Sequence, residues 1–507
     1  MAEKCERSDE RNAVILMLAT LLSRFLGILK TRVISVNFGA GITADAMNFA
    51  YNIPNNLRKI FAEGSLSSAS LPVFSAIKDD RKRATELYCQ LVSLLILIFA
   101  ALFLISVFLS GPVIGFLSDF PDGEGRQIAS SLLPYFTLFL FFISVAVLSA
   151  NVLNSSHRFV AGAFAPAVFT LVLLLSLEFL SRSLRHYAMA FGTCAGAAAQ
   201  FIVVAAGLRR LGIRFRPDFR FSSPDFRKTA SGWMVSSISS IVIIVSQTVS
   251  MYLASSLPSG SVTALSNAIV FYSAPYGIFT SSITSVYFPM LSQTEDERAR
   301  ARVLSKSLTY LVTFLLPSAI ALSALSRDCV ACILQNGAFT LSDTILTAKV
   351  LDAYLAAMIF MAFYAMLQRC MYSRSLYRLT LAVSVLVSIC DISATVIQLK
   401  AGRGVEALAV SSAVSSLAGA AVLFCFVKGF DWKTFIKDTA KVLAANIPLF
   451  LLAAGYKIWN PQYYAAGSTL FNLGFTAAAG CAAVIVTLVS YAAFRVDFLS
   501  ALRRKRP

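Results

Sequence analysis

Arg24, Lys30, Arg32, Arg58, Lys59 and Glu63 fall between positions 24 and 63, in segments otherwise apolar enough to cross a membrane. A charge near mid-bilayer costs at least ~2.5–3.5 kcal/mol on insertion scales. Such a cluster persists only where it faces protein or a water-filled cavity. The cations outnumber the acid, and a cationic cavity inside a membrane suits an anionic substrate. Arginine suits phosphate in particular, because its planar fork donates two parallel hydrogen bonds. The competing reading is structural: Arg24 and Arg58 could pair with Glu63 or with helix-end carbonyls and hold the lobe together. Depth bears on the choice. With a first span starting near Asn12, Arg24 is ~18 Å into it at 1.5 Å per residue, near the middle of a ~30 Å hydrocarbon core. Arg58 is equally deep in the second span. Lys30 and Arg32 lie further along and have the reach to snorkel.

A second buried charge is Asp391, in the middle of LTLAVSVLVSICDISATVIQ. Thr395 is one turn later on the same face, and Ser411 and Ser412 on the following span offer further oxygens. A carboxylate with hydroxyl oxygens could hold Na⁺, or Asp391 could carry a proton. The alternative is an interhelical hydrogen bond, worth only ~0.6 kcal/mol on average.

These residues must be positioned by membrane helices. Of 507 residues, 57% are hydrophobic and 14% charged, against ~25% charged in soluble domains. The chain therefore reads as an all-α polytopic membrane protein. The net charge of +18 is assigned to basic cytoplasmic loops and not to a nucleic-acid partner. The scattered cysteines and two histidines assemble no zinc set, and Cys329-x-x-Cys332 reads as a pair of ordinary helix residues. Neither G-x-x-x-x-G-K-[ST] nor a nucleophile triad is present, so no enzyme activity and no cofactor are expected beyond coupling to Na⁺ or protons. MAEKCERSDERN shows no cleavable-signal pattern, so the first span is expected to be retained.

Hydrophobic runs predict about 14 transmembrane helices. The first seven are expected at roughly 12–37, 46–76, 88–117, 129–153, 160–180, 187–208 and 229–255. The others are expected at 262–290, 305–325, 345–371, 379–399, 405–427, 440–458 and 467–493. Pro54 and Gly64 punctuate the second span. Basic residues crowd KDDRKR (78–83), the 209–228 loop, TEDERARAR (294–302), Lys433–Lys441 and the tail RRKRP. The positive-inside rule then puts both termini in the cytoplasm; SRSLRHY (181–187) is a minor exception.

An internal repeat sets the domain plan. Ser65, Ser68, Pro72, Ser75 and Asp79 align with Ser282, Ser285, Pro289, Ser292 and Asp296 at one constant offset, joining span 2 to span 8. Six spans per unit is even, so the two six-helix lobes form a parallel pseudo-repeat, an architecture that places substrate between halves. The expected plan is an N-lobe at 1–208, a basic cytoplasmic linker at 209–228, a C-lobe at 229–427, and two extra C-terminal helices with a basic tail at 428–507.

SRFLGILKTR (23–32), NFGAGITADAMNFAYNIPNNLRKIFAEGSLSSASLPVFS (37–75) and QNGAFT (335–340) resemble the MurJ/MviN family of lipid II flippases, within the multidrug/oligosaccharidyl-lipid/polysaccharide exporter superfamily. The resemblance covers essentially the whole chain. It implies translocation of a polyprenyl-diphosphate-linked peptidoglycan precursor from the inner to the outer leaflet of the bacterial inner membrane by alternating access. It puts Arg24, Lys30 and Arg58 at the family's cavity cations, with Asp45, Asn55 and Glu63 of the same motif stretch as further substrate-binding positions. It leaves Asp391, Thr395 and Ser412 as the cation-coupling set and a groove at spans 13 and 14 for the lipid tail. Span 8 departs from the pattern: SNAIVFYSAP (266–275) has no charge, and Val270 stands near the expected arginine. The span 7 sodium-site acid is also missing, although Gln247 fits. Two rivals follow: an exporter of another polyprenyl-linked glycan or a drug, and a non-transporting paralogue acting as a cell-wall scaffold. Lipid II and membrane lipids are the expected partners.

Overall fold

The computed structural model describes residues 19, 22–62, 64–121, 123–156, 158–459 and 469–496. Every regular element among them is helical. The chain divides into two compact units, 1–263 and 264–507.

The first unit begins with α1 (22–38), α2 (Ile42–Phe61) and α3 (Ser65–Ala76). It continues through α4 (Arg81–Phe108), α5 (Ser110–Leu117), α6 (Gly123–Ser155), α7 (Phe159–Leu184), α8 (Tyr187–Arg210) and α9 (Pro224–Ser255). Helix α6 is the hub, with 72% of its most apolar stretch buried. It receives Tyr51 of α2 against Phe136 and Phe139, at 5.6 and 5.7 Å between ring centres. Its Asn151 donates to Ser67 and Ser70 of α3 at 3.0 and 3.2 Å. Helices α7 and α8 approach closely through small residues: a Cβ on Gly196 would stand 2.6 Å from the Phe169 carbonyl oxygen. Membrane helices rely on such contacts because lipid tails are as apolar as leucine.

The 209–228 segment, expected as the linker, is strapped to α4. Gln90, which is 1% exposed, donates to the Arg220 carbonyl at 2.8 Å and accepts from Ser223 at 2.6 Å. Ser93 accepts from the Asp218 amide at 2.9 Å. The side-chain hydrogen bond from Arg220 holds the Asp218 carboxyl below the usual carboxylate range. Helix α9 packs on α3 and α2, so by contact it groups with the first unit.

Helix α10 (Ser261–Gln293) begins at the end of the first unit and runs into the second. The second unit adds α11 (Glu297–Ala324), α12 (Ser326–Leu334), α13 (Leu341–Ser373), α14 (Tyr377–Lys400) and α15 (Glu406–Phe424). It ends with α16 (Trp432–Ala445), α17 (Ile447–Trp459) and α18 (Thr469–Ala493). Its hub is α13, which packs against α11, α12, α14 and α15. A capping box starts this helix: Thr340 accepts from the Asp343 amide at 3.4 Å, and Asp343 from the Thr340 amide at 2.8 Å. The Tyr491 hydroxyl of α18 donates to the Thr313 carbonyl at 2.6 Å and accepts from Asn446 at 2.9 Å. That ties α18 to α11 and to the α16–α17 junction.

Ten helices among the described residues are long and apolar enough to cross a membrane. Two bent pairs, one within α9 (41°) and one at α16–α17 (40°), bring the number to twelve. Large apolar side chains face outward along them, such as Phe108 at 76% and Phe179 at 74% exposure, as a lipid-facing surface requires. The chain is a multi-pass membrane protein. The count of about fourteen is reached only if the first two expected spans are added, and neither is among these twelve. The described part of α1 is only 22–38. Expected span 46–76 is two helices, because Gly64 breaks it: a Cβ there would stand 2.1 Å from the Lys59 carbonyl oxygen.

The repeat lacks the break residue in its second copy, where Ser281 stands opposite Gly64. Helix α10 runs unbroken through Ser282 and Pro289, where its counterpart restarts at Ser65. The next helix is capped by aspartate in both units, Asp80 accepting from Lys82 and Arg83 and Asp296 from Ala299. The alignment names Asp79 as the partner of Asp296, so the capping role sits one residue out of register.

Candidate functional site

Helix α2 carries Asp45, Asn55 and Arg58 of the expected site, and its two ends do different jobs. Near its start Asp45 is 3% exposed. One oxygen accepts from the Gly260 amide at 2.7 Å, and the other from the Thr263 amide at 2.8 Å and the Thr263 hydroxyl at 2.6 Å. Thr263 Oγ1 also accepts from Asn48 at 3.3 Å. The amides are among the first of α10, which have no partner within their own helix. A carboxylate there also meets the positive end of the helix dipole. Gly260 has φ +96, and a Cβ would stand 2.6 Å from the Ala40 carbonyl oxygen, so only glycine permits the approach. Asp45 is therefore a structural clip. Its expected role in substrate binding is corrected: both oxygens are already engaged in a buried site.

Beyond Asp45, positions 48, 51, 52, 55, 58 and 59 fall on one side of α2 by helical spacing. The sequence puts Asn48, Tyr51, Asn52, Asn55, Arg58 and Lys59 there. Lys30 of α1 lies over the Tyr51 ring, 5.4 Å from its centre, which brings α1 to this stripe. Lys30, Asn55 and Arg58 are half-buried and Arg24 is exposed. From Tyr51 to Arg58 is ~10 Å along the helix. Lys59 donates to Gln247 of α9, so the residue matching the family's span 7 pattern is bonded to a cation of α2. Glu63 lies outside the described residues. The α2–α3 break rests on α9: Trp233 Nε1 donates to the Ile60 carbonyl at 2.8 Å, and Ser65 and Ser240 hydroxyls meet at 2.9 Å. The arrangement is a cationic, amide-rich face on half-buried backbone, suited to oxyanions.

Asp391 on α14 is the second candidate. Its Oδ1 accepts from Ser412 at 3.2 Å and from Ser415 at 3.3 Å, both on α15. Thr395 is buried, but its hydroxyl donates to the Asp391 backbone carbonyl at 2.8 Å. That bond spends its one donor on the backbone, so Thr395 gives no hydrogen bond to the carboxylate while keeping its lone pairs. Ser411 is taken by Gln398 at 2.8 Å. Ser415, one turn minus a residue beyond Ser412, was missed; the SSAVSS spacing puts 412 and 415 on one face and is the signal that finds it. One carboxylate with two hydroxyls fits a hard cation such as Na⁺, which takes oxygen ligands, and equally a proton carrier.

Val270 is half-buried on α10, with Ser273 donating to its carbonyl at 3.0 Å. Ser266 Oγ and Asn267 Nδ2 in the same helix are buried without partners.

The family model described as lipid II flippase MurJ matches residues 34–476. A protein of Borreliella burgdorferi named "Probable lipid II flippase MurJ" is 29% identical over 493 residues, covering 96% of this chain and 97% of that protein. One of the same name from Thermotoga maritima is 27% identical, covering 88% and 91%. Among solved structures, "Lipid II flippase MurJ, inward closed conformation" aligns with TM-score 0.79 at 22% identity over 97% of this chain and all of that one. A multidrug resistance MATE family transporter of the MOP superfamily aligns with TM-score 0.66 at 11% identity. At those identities the structures speak for the fold.

Proposed function

This chain belongs to the lipid II flippase MurJ family, and from that membership we propose that it moves lipid II from the inner to the outer leaflet of the bacterial inner membrane by alternating access. It is a transporter and not an enzyme. Both termini are cytoplasmic in this reading, as the loop charges require. The diphosphate is gripped by Arg24, Lys30 and Arg58, with Asn55 on the same face of α2. The observation that carries this is the Lys30–Tyr51 contact, which puts a cation of α1 on the stripe that holds Arg58. Arginine contributes the fork and lysine a point charge. The polyprenyl tail lies along α17 and α18. Support comes from an apolar cavity of about 140 Å³ lined by small residues such as Ala453, Ala479 and Ala482 together with Leu449 and Tyr456.

Energy comes from the ion gradient or membrane potential, through Asp391 with Ser412 and Ser415. These are the residues that would hold Na⁺, whose binding would neutralise the carboxylate between α14 and α15.

The deciding experiment reconstitutes the purified chain in vesicles and follows lipid II translocation against another polyprenyl-linked glycan as competitor. Translocation of lipid II, competed poorly by the other glycan, is expected. Preferred transport of the competitor points to the exporter, and no transport of either points to the scaffold.

A further inference from the structure

Helix α10 carries no cation, yet the second unit presents one to it. Arg369 stands one turn before the end of α13, and its guanidinium lies over the Phe288 ring of α10, 5.6 Å from the ring centre. Between them is a cavity of about 540 Å³. Its α10 wall is a ladder of hydroxyls at Thr280, Ser281, Thr284 and Ser285, two successive turns of one face.

Three observations mark this cavity as a ligand site. Arg369 makes no salt bridge among the described residues; the nearby acid Glu297 is taken by Arg300 at 3.2 Å and Arg374 at 3.1 Å. The cation–π contact with Phe288 occupies no N–H group of the guanidinium, which keeps its fork of donors for a ligand. Thr280, 8% exposed, lines the cavity with its Oγ1 buried and without a hydrogen-bond partner. Buried polar atoms in native structures are nearly always paired, so an orphan beside an unpaired cation is where a ligand's oxygens belong. The other hydroxyls are already oriented: Ser285 donates to the Ser281 carbonyl at 2.8 Å, and Ser281 to the Gly277 carbonyl. Each keeps lone pairs for water-bridged contact.

We infer that this cavity is a second phosphate site, in which Arg369 and Thr280 bind the diphosphate of a polyprenyl-linked substrate. The inference rests on the flippase reading and supplies the second unit with the cationic contact that the uncharged α10 lacks. The same phosphoryl oxygens occur in an anionic phospholipid headgroup, so the test separates the two sources.

Native mass spectrometry of the full chain in detergent measures binding of a polyprenyl diphosphate and, separately, of phosphatidylglycerol. Arg369→Ala is expected to weaken diphosphate-lipid binding about tenfold, Arg369→Lys and Thr280→Val each to weaken it less, and phosphatidylglycerol binding to stay unchanged. Melting temperature in detergent establishes that each variant is folded. Unchanged diphosphate-lipid binding by folded Arg369→Ala overturns the site. Loss of phosphatidylglycerol binding with diphosphate-lipid binding intact overturns the substrate assignment. Failure of the flippase reading is told apart by wild-type vesicles: absence of lipid II transport sinks that reading, whatever Arg369 binds.

Discussion

Arg58 and Lys30 are two answers to one problem, the placing of positive charge on a half-buried helix face. A charge-assisted hydrogen bond contributes ~1.5–3 kcal/mol, so removing one from the diphosphate grip should matter by roughly an order of magnitude or more. Arg58→Ala is expected to lower lipid II translocation in vesicles at least ~tenfold with normal protein levels, and Arg58→Lys to fall between, because a point charge cannot replace the fork. Normal transport by Arg58→Ala would remove α2 from the substrate path. Asp391 belongs to the same scale. Asp391→Asn preserves size and the contacts with Ser412 and Ser415 while deleting the charge. Transport should fall and its dependence on Na⁺ or pH should change; unchanged ion dependence in reconstituted vesicles would leave Asp391 as a link between α14 and α15.

At the scale of elements, α2 is stabilised at its start by Asp45 and carries its cations, Arg58 and Lys59, at the other end. Asp45 closes the first turn of α10 with three hydrogen bonds. Orphaning buried donors costs ~1–3 kcal/mol each. Asp45→Ala should therefore lower the melting temperature in detergent by several degrees and reduce transport through loss of folded protein, with lipid II affinity per folded molecule preserved. A normal melting temperature with weakened lipid II binding would return Asp45 to the substrate site. Gly64 serves the same design. By ending α2 against the Lys59 carbonyl it turns α3 onto α6 and α9, where Asn151, Ser236 and Ser240 receive it.

For the whole molecule, topology is the quantity that charge alone sets. Helix α9 carries 32 residues, ~48 Å at 1.5 Å per residue, enough to cross the bilayer despite its 41° bend. Ser222 and Ser259, exposed at its two ends, should therefore lie on opposite sides. Single cysteines at these positions, with exposed Cys425 and Cys481 replaced, are expected to label from opposite faces. Modification of both by an impermeant reagent on intact cells would refute the orientation.

Long uncharged runs such as Leu91–Leu109 announce helices from sequence alone, because the hydrocarbon core admits little else. The cationic character of α1 and α2 was legible in the same way, since the cost of a charge in lipid makes each one conspicuous. Side-chain partners were not. Whether a buried carboxylate binds substrate or caps a helix depends on what lies 3 Å from it, and the Asp45 partners, Gly260 and Thr263, are over 200 positions away in the chain. Thr395 shares a helix face with Asp391, yet a rotamer turned it to the backbone. Arg369 sits in an unremarkable stretch, LQRCMYS, and only the packing of α13 beside α10 gave it a cavity and an orphaned hydroxyl to face. Hydrophobicity and charge are sums along the chain and can be read there; hydrogen bonding is a matter of distance and direction, which the tertiary structure alone fixes.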